Sequence, residues 1–370
     1  GHPVDVGSLF GTGDYADIPR TRFDRKPFWL TAQISSGGTA GRIPGSHVAL
    51  PDGRHAWEVN AAAVTDPREL VRAAAAEVFD DARVGAAAPA GTGKGKILRR
   101  FPLVGGIDVA GHVVASTDPK FREGDPVLVT GCGLSETRDG GYAAYARLPA
   151  EWVVALPRGL DLRQAMVLGT AGFTAALALY RMRENRQRPE LGPLAVTGAT
   201  GGVGSLAVAI FSRAGYEVHA VSGKADQAAY LKSLGAREVL GRDALQASRP
   251  LESIRFGGGL DNVGGPMLVS LLAQTAPYGN VAAAGLAATP SLDALTVMPF
   301  ILRGVSLLGI GSAGTARDIR DDIWALLADE WKPAQLDAIC TREATLAELP
   351  DVFDTMLAGG SLGRTVVRLD

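Results

Sequence analysis

Residues 194–224 read LAVTGATGGVGSLAVAIFSRAGYEVHAVSGK and carry the clearest structural signal in the chain. The run begins with a short apolar stretch, passes through a glycine-rich turn and ends with a second apolar stretch. Between them, apolar residues recur at helical spacing, at Val203, Leu206, Ala207, Ile210, Phe211 and Ala214. This periodicity predicts an amphipathic helix that packs one face on a sheet. Strand, helix and strand in this order predict a parallel βαβ unit.

The same alternation continues to Gly311. The further candidate strands are short apolar runs separated by segments of helix length, and they read REVL, GLDNV, NVAAAG and VSLLGIG. Because crossovers between parallel strands are right-handed, the expected fold class is α/β, with a doubly wound parallel sheet of the Rossmann type. Upstream, short β runs separated by Gly, Pro and Asp turns predict a first domain that is all-β or barrel-like.

The expected domain organisation is discontinuous. A length of 370 residues favours two domains. Residues 1–160 are expected to form the β domain with an atypical N-terminal segment, residues 161–311 the nucleotide-binding domain, and residues 312–370 a return to the first domain. The run GLDLRQAMVLGTAGFTAALALYRM predicts a helical pair that begins after Asp161.

The composition is that of an ordinary globular protein, with 46% hydrophobic residues, 21% charged residues and a formal net charge of −2. No basic excess points to nucleic acid. The two cysteines, Cys132 and Cys340, are too few for a disulfide framework and favour a reducing, cytoplasmic setting. The histidines are scattered, so no metal site is expected. Residues 262–292 are uncharged but interrupted by Gly and Pro, so no membrane span is expected, and the first residues lack a signal-peptide pattern.

The glycine-rich turn, residues 199–204, reads ATGGVG and is a variant of the dinucleotide-binding fingerprint. A diphosphate can approach a strand-to-helix turn only where backbone N–H groups point at it and no Cβ intrudes. The helix that begins near Gly202 adds the positive end of its dipole. A glycine turn that serves only packing is the alternative, but the position between an apolar strand and an amphipathic helix favours a dinucleotide site.

The end of the second strand indicates which dinucleotide binds. An NAD site usually presents a carboxylate there for the ribose hydroxyls. This chain has Ser222, Gly223 and Lys224, with no carboxylate before Asp226. A hydroxyl and an ammonium suit a 2′-phosphate, so the sequence predicts NADPH. In the alternative interpretation, Ser222 caps the next helix and Lys224 is a solvated surface charge.

From Gly93 to Leu369 the chain resembles the zinc-free medium-chain dehydrogenase/reductase superfamily, in its acrylyl-CoA reductase and quinone oxidoreductase-like branch. The similarity is carried by the run quoted first and by GKGKILRRFPLVGGIDVAGHV, GTAGFTAALAL, LLAQTAPYGNVAAAGLA and TVMPFILRGVSLLGI. It implies a GroES-like β domain joined to a Rossmann domain, an active cleft between the two, no zinc, and often a homodimer.

The resemblance also implies a set of cofactor contacts. NADPH would be held by Thr200, Gly201, Gly202 and Val203, with Ser222, Gly223 and Lys224 at the 2′-phosphate and Leu286, Ile301 and Ser312 on later loops. The family reduces an α,β-unsaturated thioester such as acryloyl-CoA, with hydride going to the β-carbon and a proton to the α-carbon. This reaction requires a donor for the developing enolate oxygen and a proton source, and the sequence assigns neither role.

Most departures from the family pattern fall where substrate would bind. Residues 65–68, Thr-Asp-Pro-Arg, replace a motif containing a tyrosine, Cys132 replaces a tryptophan, and Gly311 replaces an aspartate. Glu238 falls where a cofactor-facing arginine is common, although Arg237 is adjacent. Asp108 lies where zinc-dependent relatives carry an acid, and an anchoring role in a turn between two strands is its alternative.

The expected partner is a small-molecule substrate, and the sequence leaves three candidate functions open. The first is an NADPH-dependent enoyl-thioester reductase, and the second is an NADPH:quinone or activated-alkene reductase. The third is a cofactor-binding homologue with weakened catalysis. Lys94, Arg99 and Arg100 are candidate contacts for the phosphates of a CoA ester, or else belong to an exposed basic loop.

Overall fold

The computed structural model describes residues 103–369 and the backbone of two short strands before them, β1 (Gly45–Ala49) and β2 (His55–Val59), which pair antiparallel. Two expectations lie outside the described residues. They concern residues 65–68, which replace the family's tyrosine motif, and the basic residues Lys94, Arg99 and Arg100.

The next part of the chain forms an antiparallel sheet of three strands, β3 (Asp108–His112), β4 (Pro126–Thr130) and β5 (Val154–Ala155). Helix α1 (Leu162–Glu184) follows, and a capping box of Asp161 and Gln164 begins it. The backbone of Gly169 is not helical, with φ 49° and ψ −156°, so α1 is two helices joined at a kink. The predicted helical pair that begins after Asp161 is confirmed.

A sheet of six parallel strands forms the centre of the protein, in the order β11-β10-β9-β6-β7-β8. The strands are β6 (Leu194–Thr197), β7 (Val218–Val221), β8 (Glu238–Leu240), β9 (Phe256–Asp261), β10 (Thr275–Ala283) and β11 (Ser306–Gly309). From β6 the chain runs through β7 to β8 at one edge of the sheet. It then crosses to the other side of β6, where β9 lies. The expected doubly wound Rossmann sheet is confirmed, and its switch point is the crevice at the carboxyl ends of β6 and β9.

The helices between these strands are α2 (Gly202–Arg213), α3 (Ala228–Ser233), α4 (Gly265–Ala273) and α5 (Met298–Arg303). The predicted apolar stripe of α2 is buried from Leu206 to Phe211, and Val203 is half-buried. A Cβ on Gly204 would lie 2.2 Å from the carbonyl oxygen of Gly198. This glycine therefore allows the close approach of α2 to the turn that precedes it.

The C-terminal part contains α6 (Arg317–Ala328), α7 (Leu336–Ile339), β12 (Cys340–Ala344), α8 (Leu349–Leu357) and β13 (Arg364–Val367). Strand β13 pairs with β12 in parallel orientation. The Arg364 guanidinium reaches back to strand β3, where its Nη2 lies 3.6 Å from Asp108 Oδ2.

Helix α1 connects these parts because it packs against α2, α6, β3, β4 and β13. Its Phe173 lies against Trp324 of α6, with ring centroids 6.3 Å apart, and both side chains are buried. A second apolar cluster, which includes Phe256, Leu271 and Val281, involves strands of the central sheet and α4. Within the described part of the chain, only α1 is long and apolar enough to cross a membrane. Of its apolar stretch, 78% is buried inside the protein, as in a core helix.

Candidate cofactor-binding site

The turn after β6 opens the crevice. Gly198 adopts φ 59°, and its carbonyl accepts the N–H of Gly201 at 3.0 Å. Gly201 is the N-cap of α2, and no side chain caps the helix. A Cβ on Gly201 would have only the Gly198 carbonyl nearby, at 3.4 Å. The first N–H groups of α2 therefore lack a capping side chain at a turn with space in front of it, which is the geometry of an anion site.

The turns after β6 and β7 lie side by side. Thr200 Oγ1 and Ser222 Oγ are 3.4 Å apart, and both residues are buried. Ser222 Oγ accepts the backbone N–H of Lys224 at 3.0 Å. It does not cap the short helix at residues 225–227, whose N-cap Lys224 has no side-chain cap. The structure thus brings Thr200, Ser222, Gly223 and Lys224 together.

Lys224 is not a solvated surface charge. It is half-buried, and its Nζ donates to the carbonyl of Ser361 at 2.5 Å. An ammonium has three N–H donors, so two remain for a ligand. Ser361 Oγ is buried and has no hydrogen-bond partner. A buried hydroxyl without a partner beside a lysine is consistent with a polar ligand at this position.

Arg242 is a further candidate for this site, and no pattern in the sequence indicated it. A Cβ on Gly223 would lie 2.5 Å from Arg242 Nε, so the guanidinium covers this glycine. Arg242 comes two residues after Leu240, which ends β8 and accepts the N–H of Ser222 at 3.0 Å. Arg242 is therefore carried to the end of β7 by the pairing of β7 and β8, which a local motif cannot reveal.

Glu238 lies at the other end of β8. Its Oε2 is 3.7 Å from Nδ1 of His219, whose Nε2 is 2.9 Å from Glu217 Oε1. Glu238 therefore lies beside His219 at the amino end of β8. Arg242, and not Glu238 or Arg237, lies against Gly223.

The C-terminal segment closes the turn from the other side. The N–H of Gly363 donates to the carbonyl of Thr200 at 2.9 Å. A Cβ on Gly202 would lie 3.2 Å from Arg364 Cδ and 3.5 Å from its Nη1. A guanidinium therefore lies beside the N-terminus of α2, where it adds positive charge to that of the helix dipole.

The remaining predicted residues lie on later elements of the chain, around β10 and β11. Leu286 follows β10 and is 64% exposed, Ile301 lies on α5 and is 71% exposed, and Ser312 follows β11 and is half-buried. The Ser312 and Thr174 hydroxyl oxygens are 2.8 Å apart. The ten predicted residues are thus divided between the β6–β7 side and the β10–β11 side.

Asp108 holds the kink of α1. Its Oδ1 accepts the backbone N–H of Thr170 at 2.9 Å and the Thr170 hydroxyl at 2.5 Å, at the start of the second half of the helix. Arg364 Nε donates to the carbonyl of Val167 at 3.0 Å, at the end of the first half. Asp108 therefore anchors a helix, rather than a turn between two strands. Burial and the Asp108 carboxylate raise the pKa of the nearby Tyr142 phenol.

Within residues 103–369, no group of three or more His, Cys, Asp and Glu side chains is placed to hold a metal ion. Cys132 and Cys340 are both free thiols. Burial raises the pKa of the Cys340 thiol above its ordinary value.

Two family profiles match the chain. The zinc-binding dehydrogenase family matches residues 202–329, and the alcohol dehydrogenase GroES-like domain matches residues 72–158. Among curated proteins, the putative quinone oxidoreductase YhfP of Bacillus subtilis is 46% identical over 76% of this chain and 85% of its own length. The probable acrylyl-CoA reductase AcuI of Escherichia coli is 46% identical over 75% of this chain and 86% of its own length.

Solved structures agree with these matches. The YhdH oxidoreductase of Salmonella enterica in complex with NADP has a TM-score of 0.74 and 46% identity, over 78% of this chain and 89% of that one. Bacillus subtilis YhfP with NAD bound has a TM-score of 0.74 and 45% identity, over 76% of this chain and 86% of that one. The chain therefore belongs to the zinc-free medium-chain dehydrogenase/reductase superfamily of oxidoreductases, in the branch of the AcuI acrylyl-CoA reductases and the quinone oxidoreductase-like proteins.

Proposed function

We propose that the protein uses NADPH to reduce the C=C bond of an α,β-unsaturated acyl thioester. The cofactor assignment rests on the positively charged side chains at the turn after β7. Ser222, Lys224 and Arg242 meet there around Gly223. The first carboxylate after β7, Asp226, is exposed and accepts a hydrogen bond from Gln227. This arrangement suits a phosphate on the adenosine ribose and offers no carboxylate to bare ribose hydroxyls.

The other residues have matching roles in this proposal. The N–H groups at the start of α2, at Gly202 and Val203, bind the diphosphate, and Arg364 lies beside them. Leu286, Ile301 and Ser312 flank the nicotinamide half. The bound cofactor supplies the hydride for the β-carbon of the substrate. The protein itself orients the two reactants and excludes water, which accounts for much of the rate that such a site provides.

The thioester assignment is supported by relatives. Two proteins that are 46% identical to this chain are named a probable acrylyl-CoA reductase, from Escherichia coli, and an acrylyl-CoA reductase, from Ruegeria pomeroyi. A quinone is the second candidate substrate, because a relative of the same identity is named a putative quinone oxidoreductase. Both reactions would use the same cofactor site, so only a comparison of substrates distinguishes the two candidate functions.

A single-turnover experiment tests the proposal. The protein is loaded with one equivalent of NADPH and mixed with acryloyl-CoA, crotonoyl-CoA or a benzoquinone, and the nicotinamide absorbance is followed. Rapid oxidation by the thioesters alone supports the proposal, and oxidation by the quinone alone supports the second candidate. Binding of NADPH without oxidation by any of the three contradicts both and indicates a cofactor-binding protein with weakened catalysis.

We also propose that the protein is a cytoplasmic homodimer. Among the described strands, the edge strand β11 pairs with β10 alone, and Val297 and Leu302, at the start and within α5, are 64% and 61% exposed. A free strand edge and exposed apolar side chains are both features of interfaces. Sedimentation equilibrium tests this proposal, and a single species of 38.4 kDa would contradict it.

A further inference from the structure

We infer that Lys224 couples the 2′-phosphate of the cofactor to the docking of a segment near the C-terminus, residues 359–363. This segment reads GGSLG, lies between α8 and β13, and is named the C-terminal strap. The inference rests on the proposed NADPH site and adds a conformational step to it. A dinucleotide with a 2′-phosphate holds the strap in its docked position more firmly than a dinucleotide without one.

The strap is docked on both turns of the proposed cofactor site. The N–H of Gly363 donates to the carbonyl of Thr200, in the turn after β6, at 2.9 Å. The ammonium of Lys224, in the turn after β7, donates to the carbonyl of Ser361 at 2.5 Å. Whatever orders these two turns therefore also acts on the strap.

The two ends of the strap differ in how they are held. Gly359 and Gly360 are exposed, Gly359 has φ 71°, and a Cβ on it would meet open space. Gly363 is buried with φ 56°, and a Cβ on it would lie 2.3 Å from the carbonyl oxygen of Ile339. An exposed glycine pair allows the chain to bend there, so the strap can undock locally without unfolding the sheet behind it.

The docked position leaves polar groups without partners. Ser361 Oγ and the phenol oxygen of Tyr230 are both buried and have no hydrogen-bond partner. A Cβ on Gly363 would lie 2.8 Å from the Tyr230 oxygen, so this phenol lies directly beside the strap. Because a buried hydroxyl without a partner costs free energy, docking is only marginally favourable by itself, and a ligand can shift it.

Lys224 has the geometry of a bridge. Its ammonium carries three donors, of which one binds the Ser361 carbonyl, so a phosphate can bind the others at the same time. A half-buried lysine loses rotamer entropy when it is held in one position. A 2′-phosphate that already orders the side chain removes this cost from the bond to the strap, so the two contacts strengthen each other.

Docking of the strap has a consequence for the diphosphate turn. The strap leads directly into Arg364, whose Nε donates to the carbonyl of Val167 at 3.0 Å. A Cβ on Gly202 would lie 3.2 Å from Arg364 Cδ, at the start of α2. The docked strap therefore places a guanidinium beside the turn proposed for the diphosphate, and the 2′-phosphate helps to keep it there.

Hydrogen exchange of the Gly363 amide measures docking, because this N–H bonds to Thr200 only when the strap is docked. NADPH and NADH are each added at the same multiple of their own dissociation constants, so that general stabilisation by binding is equal. In the wild type, exchange should be about tenfold slower with NADPH than with NADH, within the usual range of coupling between sites. Adenosine 2′,5′-bisphosphate should likewise slow it relative to adenosine 5′-monophosphate.

Two variants show whether Lys224 carries the effect. Lys224→Met should abolish the difference between NADPH and NADH, even with both ligands at saturation. Arg242→Met is the matched control. Arg242 belongs to the same proposed pocket, but it lies over Gly223 and makes no hydrogen bond to the strap in the described part of the chain. This variant should bind NADPH more weakly and still retain the difference in exchange at saturation.

The coupling is reciprocal, so undocking the strap should weaken the preference for NADPH. Gly363→Ala places a Cβ against the Ile339 carbonyl and should lower the ratio of the NADH and NADPH dissociation constants about tenfold. Gly359→Ala, which has open space, should leave this ratio unchanged. The double variant Lys224→Met/Gly363→Ala should give the same ratio as Lys224→Met alone. The hydrogen-exchange comparison decides the question even if Gly363→Ala fails to fold.

The outcomes distinguish the inference from the proposed function. If the wild type fails to bind NADPH, both are overturned. If it binds NADPH but the Gly363 amide exchanges equally fast with NADPH and NADH, the coupling is overturned and the proposed function stands. The same holds if Lys224→Met retains the difference or Arg242→Met loses it.

Discussion

Replacing Arg242 with alanine should lower the affinity for NADPH and leave the affinity for NADH unchanged. The guanidinium lies over Gly223, between the ends of β7 and β8, beside Ser222 and Lys224. In the proposed site it faces the 2′-phosphate, which NADH lacks. The change therefore removes a contact that only one of the two dinucleotides makes.

The size of the effect follows from the exposure of the side chain. A hydrogen bond to a charged group contributes about 1.5–3 kcal/mol, and an exposed ion pair only about 0.2–1 kcal/mol. Arg242 is exposed but lies flat against a glycine, with no Cβ between the guanidinium and the backbone. We expect an intermediate loss of about 1.4 kcal/mol, which is tenfold in the dissociation constant. Because the side chain is exposed, added salt should reduce the loss.

The assay is a fluorescence titration of each variant with NADPH and with NADH, at low and at high ionic strength. Arg237→Ala is the matched control, because Arg237 is also exposed but precedes β8 at its amino end. It should leave both affinities unchanged. Equal losses for NADPH and NADH in Arg242→Ala, or a larger change in Arg237→Ala, would refute the placement of the 2′-phosphate at Gly223.

Three further predictions concern the stability of the fold. Gly204→Ala should destabilise the protein by about 1–3 kcal/mol in urea unfolding, because its Cβ would lie 2.2 Å from a backbone oxygen, whereas Gly111→Ala has open space and should cost little. Asp108→Ala should cost about 0.5–2 kcal/mol because Thr170 loses its cap, and Asp108→Asn should cost less since it keeps an acceptor. The Glu252 pKa is lowered to about 2 by the Arg249 side chain and by the N–H groups of Ser248 and Arg249. Its contribution to stability is therefore complete above the ordinary pKa of 4.5 and lost as the pH falls toward 2, so Glu252→Gln should flatten the pH dependence of the unfolding midpoint in that window.

The sheet and the cofactor turns could be predicted from the sequence because their signals are local. Each strand of the central sheet is a short apolar run, and the turn after β6 combines its glycines with the start of an amphipathic helix. The kink at Gly169 also coincides with a glycine inside a long apolar run. In each case the residues that determine the structure are neighbours in the chain.

The contacts that were missed depend on residues far apart in sequence. Thr174 and Ser312 are 138 residues apart, and Asp108 and Thr170 are 62 apart. Arg242 reaches Gly223 only because β7 and β8 pair with a particular register. Such contacts are set by the packing of strands and helices, so hydroxyl, carboxylate and guanidinium groups with no local pattern are brought together.

Two substitutions that distinguish this chain from its family lie on neighbouring loops in the fold. Cys132 and Gly311 are distant in sequence, but the N–H of Cys132 donates to the carbonyl of Ala313, two residues after Gly311. A Cβ on Gly131 would lie 2.8 Å from Ala313 Cα, so the loops after β4 and β11 touch backbone to backbone. The two substitutions therefore lie on loops that touch, where the proposed substrate side meets the proposed nicotinamide side. The turn proposed for the diphosphate and the pocket proposed for the 2′-phosphate, at the ends of β6 and β7, keep their features. The positions of these substitutions therefore favour a change in the acyl group that the protein accepts over a loss of cofactor binding.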